Sequence, residues 1–158
     1  MPKALEKQRE CDTLPCRHVL FVCTGNTCRS PMAAALLNAA AAANKAPIKA
    51  TSAGLFASVG EPMSAGACRA LAALDILPPA HAAQTVSQPL VEEADVIVAM
   101  TAGHAMQLLM RHPDAATRIV TFSEEISDPF GGDDACYLRC AKQLKRLIES
   151  EFFGEVEP

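Results

Sequence analysis

Apolar positions along the chain fall into short blocks, and the blocks alternate between two spacings. The first, Val19-Leu20-Phe21-Val22, is an unbroken apolar run. Such a run suits a strand buried on both faces at the centre of a parallel sheet and predicts one over residues 18–23. A polar stretch follows, Thr24-Gly25-Asn26-Thr27-Cys28-Arg29. Ser30-Pro31 then reads as a helix start, because serine caps well and proline suits the first helical position. Residues 32–43 are almost all strong helix formers, and Lys45-Ala46-Pro47 ends the segment.

The same alternation continues. A short strand is predicted over 48–52, closing at Ala53-Gly54. Gly60-Glu61-Pro62 is expected to open a helix in which Met63, Ala67, Ala70, Leu71 and Leu74 recur at helical spacing. Pro78-Pro79 breaks the chain, Thr85-Val86-Ser87 fits a short edge strand, and residues 89–94 fit a helical turn or two. Residues 95–100 form the clearest strand after the first. Thr101 is placed to cap a helix reaching Arg111, and residues 118–122 complete the strands. A polar loop over 123–134 leads to a closing helix over 133–152, where Cys136, Cys140, Leu144 and Leu147 share one face as core packing residues. Strands alternating with helices, with no internal repeat, predict an α/β sandwich with a parallel sheet.

Composition narrows the partners. With no Trp and one Tyr, the core must be built from aliphatic residues, Met and Ala. A net charge of −4 without a Lys/Arg stripe argues against nucleic acid. It leaves room for an anionic substrate, since a backbone nest binds phosphate inside an acidic protein. No apolar run approaches the ~20 residues that span a bilayer, so no membrane partner is expected. Residues 1–17 are charged, lack the apolar block of a secretory signal, and read as a weakly structured extension. The odd count of seven cysteines suits a reducing, cytoplasmic setting. Cys11 and Cys16 could form a metal site only with a distant pair such as Cys136 and Cys140, so they read as incidental thiols. His18, His81, His104 and His112 show no ligand spacing. No metal or organic cofactor is implied.

The chemistry concentrates in residues 23–30. A loop leaving a parallel strand for a helix lies at the carboxyl edge of the sheet. There the backbone N–H groups of Thr24, Gly25, Asn26, Thr27 and Cys28 can converge with those of the helix start around an anion. Gly25 and Asn26 tolerate the positive φ that such a nest requires. Arg29 supplies a planar fork for two phosphate oxygens. Cys23 stands at the mouth, where the helix dipole and Arg29 favour its thiolate. Ser30 can donate a hydrogen bond to that sulfur. A thiolate beneath a bound phosphate is poised for in-line attack on phosphorus. The departing group needs a proton, and Asp128 is the best donor, since its loop should return to the same edge. Pro129 stiffens that loop, Phe130 can wall the cleft, and Gly131-Gly132 allows a close backbone approach. As a carboxylate, Asp128 could then activate water against the phosphocysteine.

Cys23 to Pro31, taken with Asp128-Pro129-Phe130, resembles the low-molecular-weight protein-tyrosine-phosphatase family. The resemblance runs over about residues 18–150 and includes Thr51-Ser52-Ala53-Gly54 and residues 94–101. It implies a four-stranded parallel sheet in a three-layer sandwich and a phosphatase domain over 18–153. It also implies phosphorylated proteins or peptides as partners. The extension and the short segment between Thr121 and Asp128 depart from an idealised member. Thr27 and the spelling Asp-Pro-Phe-Gly-Gly are similar to the bacterial protein-arginine phosphatases, whereas tyrosine-directed members tend to carry a larger aliphatic residue and a tyrosine at those places. The resemblance therefore implies phosphoarginine as substrate, with phosphotyrosine as the alternative. A small Thr27 leaves room and a hydroxyl for a planar polar leaving group. In this family a cysteine at the place of Cys28 can also trap the oxidised nucleophile as a disulfide.

Two further readings remain in play. A thiol-relay arsenate reductase shares this loop but needs two more cysteines in a mobile segment, and only Cys68 lies between Cys28 and Cys136. A catalytically silent phosphate-binding module would bind without turnover, against which stands the intact set of Cys23, Arg29, Ser30 and Asp128.

Overall fold

The first strand alternates its side chains between two cores. In the computed structural model, which describes residues 15–154, β1 (Arg17–Cys23) sends Val19, Phe21 and Cys23 into one hydrophobic cluster and Leu20 and Val22 into the other. Burial on both faces is what its unbroken apolar run dictates. β2 (Ile48–Gly54) and β3 (Val96–Ala99) flank it, and β4 (Ile119–Thr121) lies beyond β3. The order is β2-β1-β3-β4, and every pairing is parallel. Val22, near the end of β1, sits between Ala53 and Ala99.

Helices cover both faces, so the predicted three-layer sandwich holds. α1 (Arg29–Asn44), α2 (Ala65–Ala73) and α5 (Asp134–Phe153) pack over the face that holds Phe21 and Met32. α3 (Gln88–Glu93) and α4 (Ala102–Arg111) cover the other, where Val91 and Leu108 meet Leu20 and Ile97. A 3-10 helix, Pro113–Arg118, leads into β4. Phe21 stacks on Phe122 at 5.9 Å between ring centroids and meets Phe152 edge-on at 6.2 Å. No described helix is long and apolar enough to cross a membrane.

Several local expectations need correction. The N-cap of α1 is Cys28, with no side-chain capping bond, and Ser30 lies inside the helix with its hydroxyl turned to the nucleophile loop. α2 begins at Ala65, not at Gly60, because Gly60 and Glu61 pair with the backbone of Ala83 and Gly60 takes a φ of 92°. Ser64 caps it by accepting from Ala67 N. The expected edge strand near Thr85 is a single bridge to Gly54. Cys140 is buried as expected, but Cys136 is only half-buried beside Gly132. The extension expected over residues 1–17 lies outside the described residues up to residue 14, Cys11 included; Pro15 and Cys16 are exposed and Arg17 already belongs to β1.

Candidate active site

β1 delivers Cys23 to the carboxyl edge of the sheet at the point where the strand order reverses. Connections from β1 leave toward β2 on one side while β3 lies on the other, and open α/β sheets bind ligands in the crevice this creates. The chain beyond Cys23 curls back over the end of β2. Leu55 N donates to Cys23 O at 3.0 Å, and Phe56 N donates to Thr24 O at 2.9 Å. Gly54 lies directly beneath. A Cβ there would stand 2.5 Å from Thr24 O, so any larger residue pushes on loop backbone.

Asn26 holds the curve. It is fully buried and left-handed, with φ 59°, a conformation asparagine tolerates better than most residues. Its Oδ1 accepts from Gln84 N at 3.0 Å, which orients the amide. Its Nδ2 then donates to Ser30 Oγ and to Ser52 Oγ, each at 2.9 Å. Because Ser30 Oγ accepts from Asn26, its own hydrogen is free for Cys23 Sγ, 2.8 Å away. The closest other acceptor is Ala53 O at 3.5 Å. A buried sulfur thus sits at the end of a relay of hydrogen bonds that begins on a backbone amide.

Arg29 is 5% exposed and aims its guanidinium at the loop after β4. Nη1 donates to Ile126 O at 3.0 Å, and Nη2 lies 3.5 Å from Asp128 Oδ2. Ile126 N is itself tied to Met100 O at the end of β3, so the loop returns to the same edge as Cys23. Asp128 is half exposed, and its Oδ1 accepts from Phe130 N at 3.0 Å. Residues 23–29, Asp128 and Phe130 together line a cleft of about 220 Å³. Every residue singled out from the sequence as a site residue therefore lies in or directly beside one crevice: Cys23, Thr24, Gly25, Asn26, Thr27, Cys28, Arg29, Ser30, Asp128 and Phe130.

The sequence reading missed three side chains. His81 Nε2 is 2.7 Å from Asn26 O, and His104 Nε2 is 2.8 Å from Thr24 Oγ1. Tyr137 OH lies 3.6 Å from Cys28 Sγ, which also contacts Ser64 Oγ at 3.3 Å. Burial, and then the hydrogen bond to Cys28, push the Tyr137 phenol up. One signal was available for His104. It stands three residues after the cap Thr101, at the start of a helix that follows a central strand, which places it on the carboxyl edge. His81 and Tyr137 come from segments whose path the sequence alone does not fix.

Of the other thiols, Cys136 and Cys140 line a neighbouring pocket that shares Asp128 and Phe130 with the cleft. Burial pushes Cys140 up to about 12, leaving it a packing residue. Cys68 lies on α2, half-buried, with Met63 O at 4.0 Å from its sulfur. Among the described residues no group of three or more His, Cys, Asp or Glu is arranged to hold a metal ion.

The chain matches the family model described as "Low molecular weight phosphotyrosine protein phosphatase" over residues 18–156. A protein-arginine-phosphatase from Geobacillus stearothermophilus is 37% identical over 140 residues, spanning 83% of this chain and 90% of that protein. The crystal structure of a low molecular weight protein tyrosine phosphatase from T. tengcongensis superposes with a TM-score of 0.84 at 34% identity, covering 88% of this chain and 99% of that one. A YwlE arginine phosphatase mutant carrying a phosphorylated active site serine superposes with a TM-score of 0.82 at 30% identity, covering 85% of this chain and 92% of that one.

Proposed function

The chain belongs to the low molecular weight phosphotyrosine protein phosphatase family and is a cysteine-dependent protein phosphatase; from that premise we propose that it hydrolyses phosphoarginine in proteins through a phosphocysteine on Cys23. The phosphoryl group sits in the cradle of residues 24–29, with Arg29 on two of its oxygens. Cys23 Sγ attacks phosphorus and the P–N bond breaks. Asp128 passes its proton to the departing guanidino nitrogen, and its carboxylate faces the guanidinium that results. In the second half, Asp128 takes a proton from water, which attacks phosphorus and releases phosphate and the Cys23 thiolate. Ser30 donates to the sulfur throughout, where charge returns as the S–P bond breaks.

The observation that carries the choice of arginine is Thr27. It is half-buried in the cleft wall, and among the described residues its Oγ1 has no closer partner than Cys28 Sγ at 3.8 Å. The hydroxyl is therefore available to a polar, planar leaving group, while a larger aliphatic side chain would offer an apolar ledge suited to a phenyl ring. The relative named protein-arginine-phosphatase supports this reading. The tyrosine phosphatase from T. tengcongensis, 34% identical with a TM-score of 0.84, keeps phosphotyrosine as the second reading. Release of phosphate from matched phosphoarginine and phosphotyrosine peptides decides between them, and a strong phosphotyrosine preference overturns the first. The functional unit is taken as residues 18–153 together with Arg17, the first residue of β1, with the residues before it as an extension.

A further inference from the structure

His104 is a buried imidazole that the proposed mechanism does not use, yet both of its ring nitrogens are engaged. Nδ1 lies 3.0 Å from Thr101 Oγ1, and Nε2 lies 2.8 Å from Thr24 Oγ1. His104 is 7% exposed, while Thr24 is an exposed residue of the cleft lining, adjacent to Cys23.

The helix cap fixes the direction of this chain of hydrogen bonds. Thr101 Oγ1 accepts the backbone N–H of His104 at 3.2 Å, as the N-cap of α4. Nδ1 is the one protein acceptor within reach of the Thr101 hydroxyl hydrogen among the described residues. Thr101 therefore donates to Nδ1, the neutral ring carries its proton on Nε2, and Nε2 donates to Thr24 Oγ1. With that bond accepted, the Thr24 hydroxyl hydrogen turns away from His104 and toward the cleft. The opposite tautomer would leave Thr24 only lone pairs to offer. Of the two parts of a phosphorylated side chain, the phosphoryl oxygens accept hydrogen bonds and a guanidinium only donates. An outward-turned hydroxyl hydrogen matches the first.

We propose that His104 is a positioning residue that presents the Thr24 hydroxyl as a hydrogen-bond donor to the substrate's phosphoryl group. The inference rests on the proposed phosphatase reading of the cleft but not on the choice between arginine and tyrosine. It would be tested with inorganic phosphate as inhibitor and p-nitrophenyl phosphate as substrate. Thr24→Val and His104→Phe are each expected to raise the phosphate inhibition constant and the KM about tenfold, with kcat within about twofold, because the lost bond is to a charged group made in ground and transition states alike. Thr24→Ser should restore both values, and the double variant should be no weaker than Thr24→Val alone, since the two act through one hydrogen. In the unliganded protein, long-range proton–nitrogen correlation spectra of the His104 ring should show the Nε2–H form. An unchanged phosphate inhibition constant in Thr24→Val, multiplicative losses in the double variant, or an Nδ1–H ring would each overturn the proposal. Absence of turnover in the wild type would instead count against the phosphatase reading, with phosphate binding measured by titration and the spectra still deciding the role of His104.

Discussion

Cys23 Sγ and Ser30 Oγ lie 2.8 Å apart in the interior, joined across a loop whose curvature is set by Asn26. Of the two roles the sequence assigns to Ser30, helix cap and hydrogen bond to the sulfur, the structure keeps the second. Cys28 takes the cap position without a side-chain bond, and its backbone oxygen accepts from Met32 N at 3.1 Å. Ser30→Ala keeps the fold and removes the one hydroxyl, among the described residues, aimed at the sulfur. A hydrogen bond to a charged group contributes about 1.5–3 kcal/mol, so kcat should fall roughly 10- to 100-fold with little change in KM. Steady-state kinetics on any accepted phosphoester or phosphoramidate checks this.

Asn26 is predicted to matter for stability as much as for activity. Asn26→Ala keeps a non-glycine residue at φ 59° and strips Gln84 N, Ser30 and Ser52 of a buried partner. The expected destabilisation is about 2–4 kcal/mol, read from the shift in urea midpoint at unchanged slope.

Gly54→Ala places a methyl group 2.5 Å from Thr24 O and 3.1 Å from Asn26 N, both backbone atoms of the nucleophile loop. Neither can rotate away, so the loop must move. Activity should drop at least about tenfold, since a shift of roughly an ångström in a reacting group is worth that much or more. Circular dichroism should still report the native helices.

The same site predicts an acid limit to stability. Burial first, and the Arg29 guanidinium second, hold His104 below its usual range, while Asp128 and Glu125 pull the other way. The unfolded chain binds a proton at this histidine near pH 6.5, and the folded one does so only at lower pH. Unfolding therefore takes up a proton below about pH 6.5, so this contribution is intact above that value and is lost as pH falls through the folded pKa. His104→Asn should flatten the decline in urea midpoint measured from about pH 7 down to about pH 5.

How much of this was legible in the sequence depends on the range of the interaction concerned. Val19 to Val22 announce β1 because a doubly buried strand needs no pairing partner to be recognised, and residues 23–30 carry their chemistry in one contiguous spelling. Asp128 could be paired with them because a loop after the last strand of a parallel sheet has only one edge to return to. The start of α2 was misplaced because Gly60 and Glu61 are claimed by Ala83, more than twenty residues away, which no local propensity records. His81, His104 and Tyr137 were passed over for a similar reason. Each is a single side chain whose meaning comes from a contact across the fold, to Asn26 O, Thr24 and Cys28 respectively.

The central claim is that this cleft takes a phosphoryl group from arginine, with Thr27 as the side chain that chooses. The direct measurement is kcat/KM for two peptides of one sequence, bearing phosphoarginine or phosphotyrosine, with wild type and Thr27→Ile side by side. Wild type is expected to favour phosphoarginine by about tenfold or more, and Thr27→Ile to move the ratio toward phosphotyrosine by a similar factor, the scale on which a pocket separates substrates differing by a group or two. A wild-type preference for phosphotyrosine, or a ratio unmoved by Thr27→Ile, would contradict it.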